Sequence, residues 1–125
     1  MERVLVIAVA GALGAISRYG LQTLANDLAG RSTVLGTLAV NLIGSLILGL
    51  LIGWGEERLG ASSLWRTAGV VGFLGAFTTF STLMFENVQY LEDGETALVF
   101  AYIGASIVLG LALCYAGLIA GRALA

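Results

Sequence analysis

The chain has 125 residues, of which 58% are hydrophobic and only 11% charged, against roughly 25% charged in a soluble domain. Its mean hydropathy is +0.96, and its net charge of −2 is too small for a nucleic-acid partner or any strongly charged one. There is no His, Lys or Pro, and the lone Cys114, set in an apolar run, can build neither an intrachain disulfide nor a metal cluster and reads as a small buried apolar residue.

In chain order, four segments are long and apolar enough to span roughly 30 Å of hydrocarbon, which takes about 20 residues at 1.5 Å each. Met1-Glu2-Arg3 is a weakly positive start, but three further apolar segments follow, so the first is read as a retained helix rather than a cleaved signal. The segments cover about 4–25, with Arg18 inside; about 33–55, with no charge; about 64–91, with Arg66 near its start and Glu86 deep within; and about 96–121, with no charge. The links 26–32, 56–63 and 92–95 are short, which forces antiparallel neighbours. The expected fold is therefore an all-α membrane protein, residues 1–125 forming one up-down-up-down four-helix domain. Strand alternation is absent, and the chain is too short for the strands of a β-barrel. Trp54 and Trp65 flank the second link, where indoles favour the membrane interface.

Arg3, Arg58, Arg66 and Arg122 fall on the side of both termini, while Arg31 falls on the other, towards which Arg18 can extend. Four against two leans slightly towards cytoplasmic termini and leaves room for insertion both ways round. Small residues four apart (Ala10 and Gly14, Gly49 and Gly53, Gly117 and Gly121) let helices approach closely, within or between chains. A bundle of four such helices is thin and filled by its own side chains, so an oligomer is expected, with a dimer the simplest closed form.

Residues four apart share a helix face. Thr37, Asn41 and Ser45 form such a stripe on the second helix, Thr78, Thr82 and Glu86 on the third, and Tyr102, Ser106 and Gly110 on the fourth. A lone Asn41 reads more readily as interhelical glue than as a ligand. Three stripes of hydroxyl, amide and phenol groups on a common track suit a small ion or polar solute that must shed water without being held tightly. Arg18 either has a function within the membrane or snorkels to the interface, and its charge could gather an anion at a vestibule. Glu86 would repel anions if ionised; it could also be protonated, bridge water or pair with Arg18.

The third segment is organised around Gly72-Phe73-Leu74-Gly75-Ala76-Phe77-Thr78-Thr79-Phe80-Ser81-Thr82-Leu83, where glycines give way to four hydroxyl side chains in five positions. Gly69, Gly72 and Gly75 weaken a helix by about 1 kcal/mol each relative to Ala, and β-branched Thr78 and Thr79 weaken it further. Two readings stay open. One is an unwound turn, tolerated in a membrane where it is buried or lines a cavity, with carbonyls freed for a hard cation such as Na⁺. The other is a continuous helix whose Thr hydroxyls bond back to the preceding turn.

These residues carry a resemblance over essentially the whole chain. Gly11-Ala12-Leu13-Gly14-Ala15-Ile16-Ser17-Arg18-Tyr19, Gly36-Thr37-Leu38-Ala39-Val40-Asn41, and the stretch from Gly72 to Thr82 resemble, in order and spacing, the three signatures of the CrcB/Fluc fluoride ion channels. The resemblance implies a multi-pass protein of the bacterial inner membrane and an antiparallel, dual-topology homodimer in the lipid bilayer. The third helices would be broken near their middles, with two fluoride pathways and a structural Na⁺ held by backbone carbonyls of Gly75 and Thr78. It implies passive export of F⁻ as fluoride resistance. Asn41 would be a pore donor, Phe80 a ring lining the pore, and Ser81, Thr82, Tyr102, Ser106 and Thr37 the polar track, with Arg18 and Glu86 near the vestibules. One position departs: a second pore phenylalanine is expected at 83, where this chain has Leu83. Phe85 points about 200° away round a helix, so slower conduction, altered selectivity, or compensation by Met84 or Phe77 are the open outcomes.

Two other classes compete. A small four-helix multidrug or cation exporter needs a buried carboxylate on its first helix, where this chain has Arg18. A non-transporting scaffold subunit would account for the glycines but not for the three stripes. An enzyme is not expected, since there is no His and no carboxylate pair.

Overall fold

The computed structural model describes residues 1–30, 34–59 and 64–125, the side chains at 57 and 59 excepted. Its elements are α1 (Glu2–Leu28), α2 (Leu35–Leu59), α3 (Leu64–Arg66), a π-helical stretch (Thr67–Leu74), α4 (Gly75–Phe77), α5 (Phe80–Glu92) and α6 (Thr96–Leu124). The pieces from α3 to α5 form one membrane-length path, so four helices are long and apolar enough to cross a membrane. The expected helix start at Thr33 and the place of Arg31 in the charge balance lie outside the described residues. α1 and α6 run three residues past their expected ends, because polar Asn26 and Asp27, or Arg122, end an apolar span without ending a helix. Gly94 stops α5: at φ +78 its N–H reaches Leu91 O, and Glu95 N–H reaches Tyr90 O at 2.8 Å. This is the paired closure that a left-handed residue makes possible.

Small residues set the packing. α2 and α6 make the most extensive helix contact. A Cβ at Gly49 would strike the backbone of Cys114 and Leu118, and one at Gly53 that of Leu118 and Arg122. Reciprocally, Gly117 sits on Leu46 and Leu50, and Gly121 on Leu50 and Trp54. Residue numbers rise together along this seam, so the two helices run parallel, as the second and fourth of an up-down-up-down bundle must. On the other side Gly14 packs under the Phe73 backbone, and a Cβ at Gly72 would lie 2.8 Å from Ala10 Cβ. All three small-residue pairs are thus engaged within the chain. With no hydrophobic drive between helices in lipid, such backbone-close packing supplies the contact. The buried apolar cluster is Val40, Leu74 and Phe77, surrounded by Leu21, Ile47, Leu48, Leu51 and Phe73. The Phe73 and Phe77 rings stack at 5.7 Å. Leu5 and Ile16 on α1 and Phe100 and Leu111 on α6 are exposed, as apolar side chains facing acyl chains would be.

The third helix contains part of each sequence reading. Its glycines do not unwind it: Gly69 and Gly72 lie in the wider π-helical stretch, where Gly72 lets α1 come close, and Gly75 begins α4. The break falls at the β-branched pair instead. Thr78 (φ −81, ψ 157) and Thr79 (φ −147, ψ 116) are extended. Thr78 also bonds back, as the continuous reading expected, with its hydroxyl donating to Leu74 O at 3.0 Å. Gly44 of α2 makes the room, since a Cβ there would strike Thr78 Cγ2. The break corrects one inference: Thr78 does not share a helix face with Thr82 and Glu86, because two extended residues stand between.

Candidate functional site

Asn41 clasps the break. Its Nδ2 donates to Thr79 O at 2.9 Å, and its Oδ1 accepts from Thr79 N at 2.8 Å. The Thr79 N–H, which lost its helical partner, is thus satisfied from α2, and the Thr79 carbonyl gains a second donor there. Thr79 in turn caps α5, its Oγ1 accepting from Thr82 N at 3.3 Å and donating to Thr82 Oγ1 at 2.9 Å. These bonds free two carbonyls. In a continuous helix Thr79 N–H would reach Gly75 O and Thr82 N–H would reach Thr78 O; here the first goes to Asn41 and the second to Thr79 Oγ1.

A cleft of about 430 Å³ lies beside the break, with Asn41, Ser45, Gly75, Thr79, Phe80 and Ser106 among its lining. Ser45 Oγ donates to Asn41 O at 2.8 Å. Ser106 Oγ is buried without a hydrogen-bond partner among the described residues, and Asn41 Nδ2 has a second N–H beyond the one on Thr79. Phe80 is 72% exposed and Ser81 is exposed, whereas Leu83 is buried against the cleft. Phe77 does not stand in for the missing ring at 83, because it is in the core against Phe73. Met84 is half-buried and Phe85 is exposed.

A second group centres on Glu86. Thr37 Oγ1 donates to its Oε1 at 2.6 Å and the Tyr102 hydroxyl to its Oε2 at 2.7 Å. Tyr102 also lies 3.3 Å from Val34 O, and its ring meets Tyr90 edge to face. Among the described residues Arg18 forms no ion pair with Glu86; Arg66 and Glu56 pair at 3.8 Å, both half-exposed. Among the described residues the carboxylate is therefore held by hydroxyls. Gln22 was missed from sequence, and its Nε2 donates to Thr37 Oγ1 at 3.1 Å. The signal existed: Arg18, Gln22 and Asn26 are four apart, a fourth polar stripe on the one helix where none was sought.

The structure thus gathers Asn41, Gly75, Thr78, Phe80 and Ser106 at the break and Thr37, Glu86 and Tyr102 a step away, with Thr82 attached through Thr79. Arg18 joins neither group. At the break this leaves the second N–H of Asn41 and the Ser106 hydroxyl without protein partners among the described residues, in a largely apolar cleft.

The sequence matches the family described as CrcB-like protein, Camphor Resistance (CrcB), over residues 5–118. It is 41% identical over 122 residues to the "Fluoride-specific ion channel FluC" of Nitratidesulfovibrio vulgaris, covering 98% of each chain. The like-named protein of Maridesulfovibrio salexigens is also 41% identical, covering 98% of this chain and 97% of its own. That of Geobacter sp. is 40% identical over 124 residues, covering 99% of this chain and all of its own. Four membrane-length helices, a clasped break in the third and full-length similarity of this order lead to one conclusion: this multi-pass membrane protein belongs to the CrcB family.

Proposed function

We propose that the chain is a passive, fluoride-selective channel of the bacterial inner membrane that lets F⁻ leave the cytoplasm, and that it works in the bilayer as an antiparallel, dual-topology homodimer. The observation that carries this is the spare N–H of Asn41 on α2 and the unpartnered Ser106 hydroxyl on α6 lining one cleft beside a broken helix, in a chain whose relatives are named fluoride-specific ion channels. The activity is transport, not catalysis.

Fluoride is small and strongly hydrated, so shedding water is its main barrier. The spare N–H of Asn41 and the hydroxyls of Ser81, Thr82 and Ser106 replace that water, and the exposed Phe80 ring presents its positive edge to the ion. Thr37 and Tyr102 carry the path on past Glu86, whose charge their hydroxyls damp. Arg18 collects anions at one mouth. With the cell interior negative, the membrane potential drives anion exit by about 2.3 kcal/mol per 100 mV. HF enters uncharged and dissociates inside, so a passive leak of F⁻ removes what acid surroundings push in.

The residues present suit a structural Na⁺. Gly75 O and Thr78 O lack their helical donors, and unwound carbonyls of this kind are ligands for Na⁺ in other membrane proteins. An inverted second copy would bring the same two. The ion's part would be to hold two breaks together.

The test is fluoride release from liposomes carrying the purified protein, read with a fluoride electrode, with chloride alongside. Fast fluoride release without chloride release is the expected result. No release of either ion from well-folded protein would overturn the reading.

A further inference from the structure

The chain Gln22–Thr37–Glu86–Tyr102 joins α1, α2, α5 and α6, and its first member has no place in the path described above. A threonine hydroxyl has one proton and two lone pairs, an amide NH₂ can only donate, and an ionised carboxylate can only accept. Gln22 Nε2, 3.1 Å from Thr37 Oγ1, occupies a lone pair of that oxygen and leaves its single proton to Glu86 Oε1. At 2.6 Å this second bond has the length of a charge-assisted O–H···O⁻ contact. Thr37 is only 2% exposed, so water cannot readily take the place of the amide. The approach is built in: Gly36 lets α1 lie so close that a Cβ there would be 2.9 Å from Gln22 O.

We infer that Gln22 is a positioning residue of the fluoride path, the donor that fixes the direction of the Thr37 hydroxyl and so holds the Glu86 carboxylate in place. The inference rests on the channel reading. It explains how an intramembrane carboxylate persists here with Arg18 unpaired to it: the neutral donors are aligned from outside the path. It also assigns α1 a part in conduction, through Thr37.

Fluoride efflux from liposomes tests it. Gln22→Met, close in length but without the donor, should slow efflux about three- to tenfold, the worth of one oriented hydrogen bond. Gln22→Glu should slow it more, since a second carboxylate would draw the Thr37 proton away from Glu86. The loss must pass through Thr37. In a Thr37→Val background, with no hydroxyl to orient, Gln22→Met should add nothing, whereas in Thr37→Ser its effect should return. Additive losses in the Thr37→Val background would mean a merely structural role and overturn the inference. So would unchanged efflux from Gln22→Met beside an active unsubstituted protein, which would leave the channel reading standing. An unsubstituted protein that moves no fluoride would remove both.

Discussion

At the scale of single residues, the site depends on which atom of an amide faces which backbone group. Asn41→Asp keeps an acceptor for Thr79 N–H but turns the donor on Thr79 O into a second acceptor, so two oxygens face each other at the break. Fluoride efflux should be abolished, and detergent-solubilised protein should lose stability by about 1–3 kcal/mol, read as a lower unfolding temperature. Unchanged flux would count against this pore. Leu83 makes the opposite prediction. It is buried beside the cleft, which leaves room for a ring, and an aromatic edge towards the anion is worth about 1 kcal/mol. Leu83→Phe should therefore speed fluoride efflux about fivefold without admitting chloride. Asn41, Thr37, Glu86 and Tyr102 were legible in the sequence, as polar residues in apolar helices must be explained. Their pairing was not, because i+4 spacing shows which groups share a face but not which neighbour they meet.

Between elements, stability rests on backbone contact at glycines. Gly117→Val would push the α2 backbone at Leu46 and Leu50 away from α6. Overpacking of this kind costs about 1–3 kcal/mol, and the expected outcome is a lower unfolding temperature and poor recovery of folded protein. Gly44→Ala presses on the break itself through Thr78 Cγ2; efflux should fall more than stability does, which parallel flux and unfolding measurements would separate. The glycine pairs were visible in sequence as close-packing spacings, but whether they served one chain or two was not. Gly49 and Gly53 face Gly117 and Gly121 across α2 and α6 within one chain. The break was visible as a weak stretch of glycines and β-branched threonines, with a continuous helix left as the other reading. A wide π turn takes up Gly69 and Gly72, while the chain opens at the two threonines, where Asn41 receives the Thr79 backbone.

For the whole molecule, the prediction concerns two copies. If the Gly75 and Thr78 carbonyls of inverted partners share a Na⁺, replacing Na⁺ by a large organic cation on both sides should reduce fluoride flux and lower the unfolding temperature together, with Na⁺ restoring both. Cysteine labels near residue 2 should be reached from both sides of the cell membrane in similar measure. Labelling from one side alone would contradict dual topology.

Sequence alone determined the membrane class, the number of spans, the weak third helix and which polar residues stand in the apolar helices. Hydrophobic length and helical spacing are local properties, readable without knowing any neighbour. Only tertiary structure decided where the helix opens, that the glycine pairs close α2 on α6, and that Glu86 rests on hydroxyls rather than on Arg18. It also brought in Gln22. Each of these depends on which side chain another helix presents at hydrogen-bond distance, and that is settled by packing.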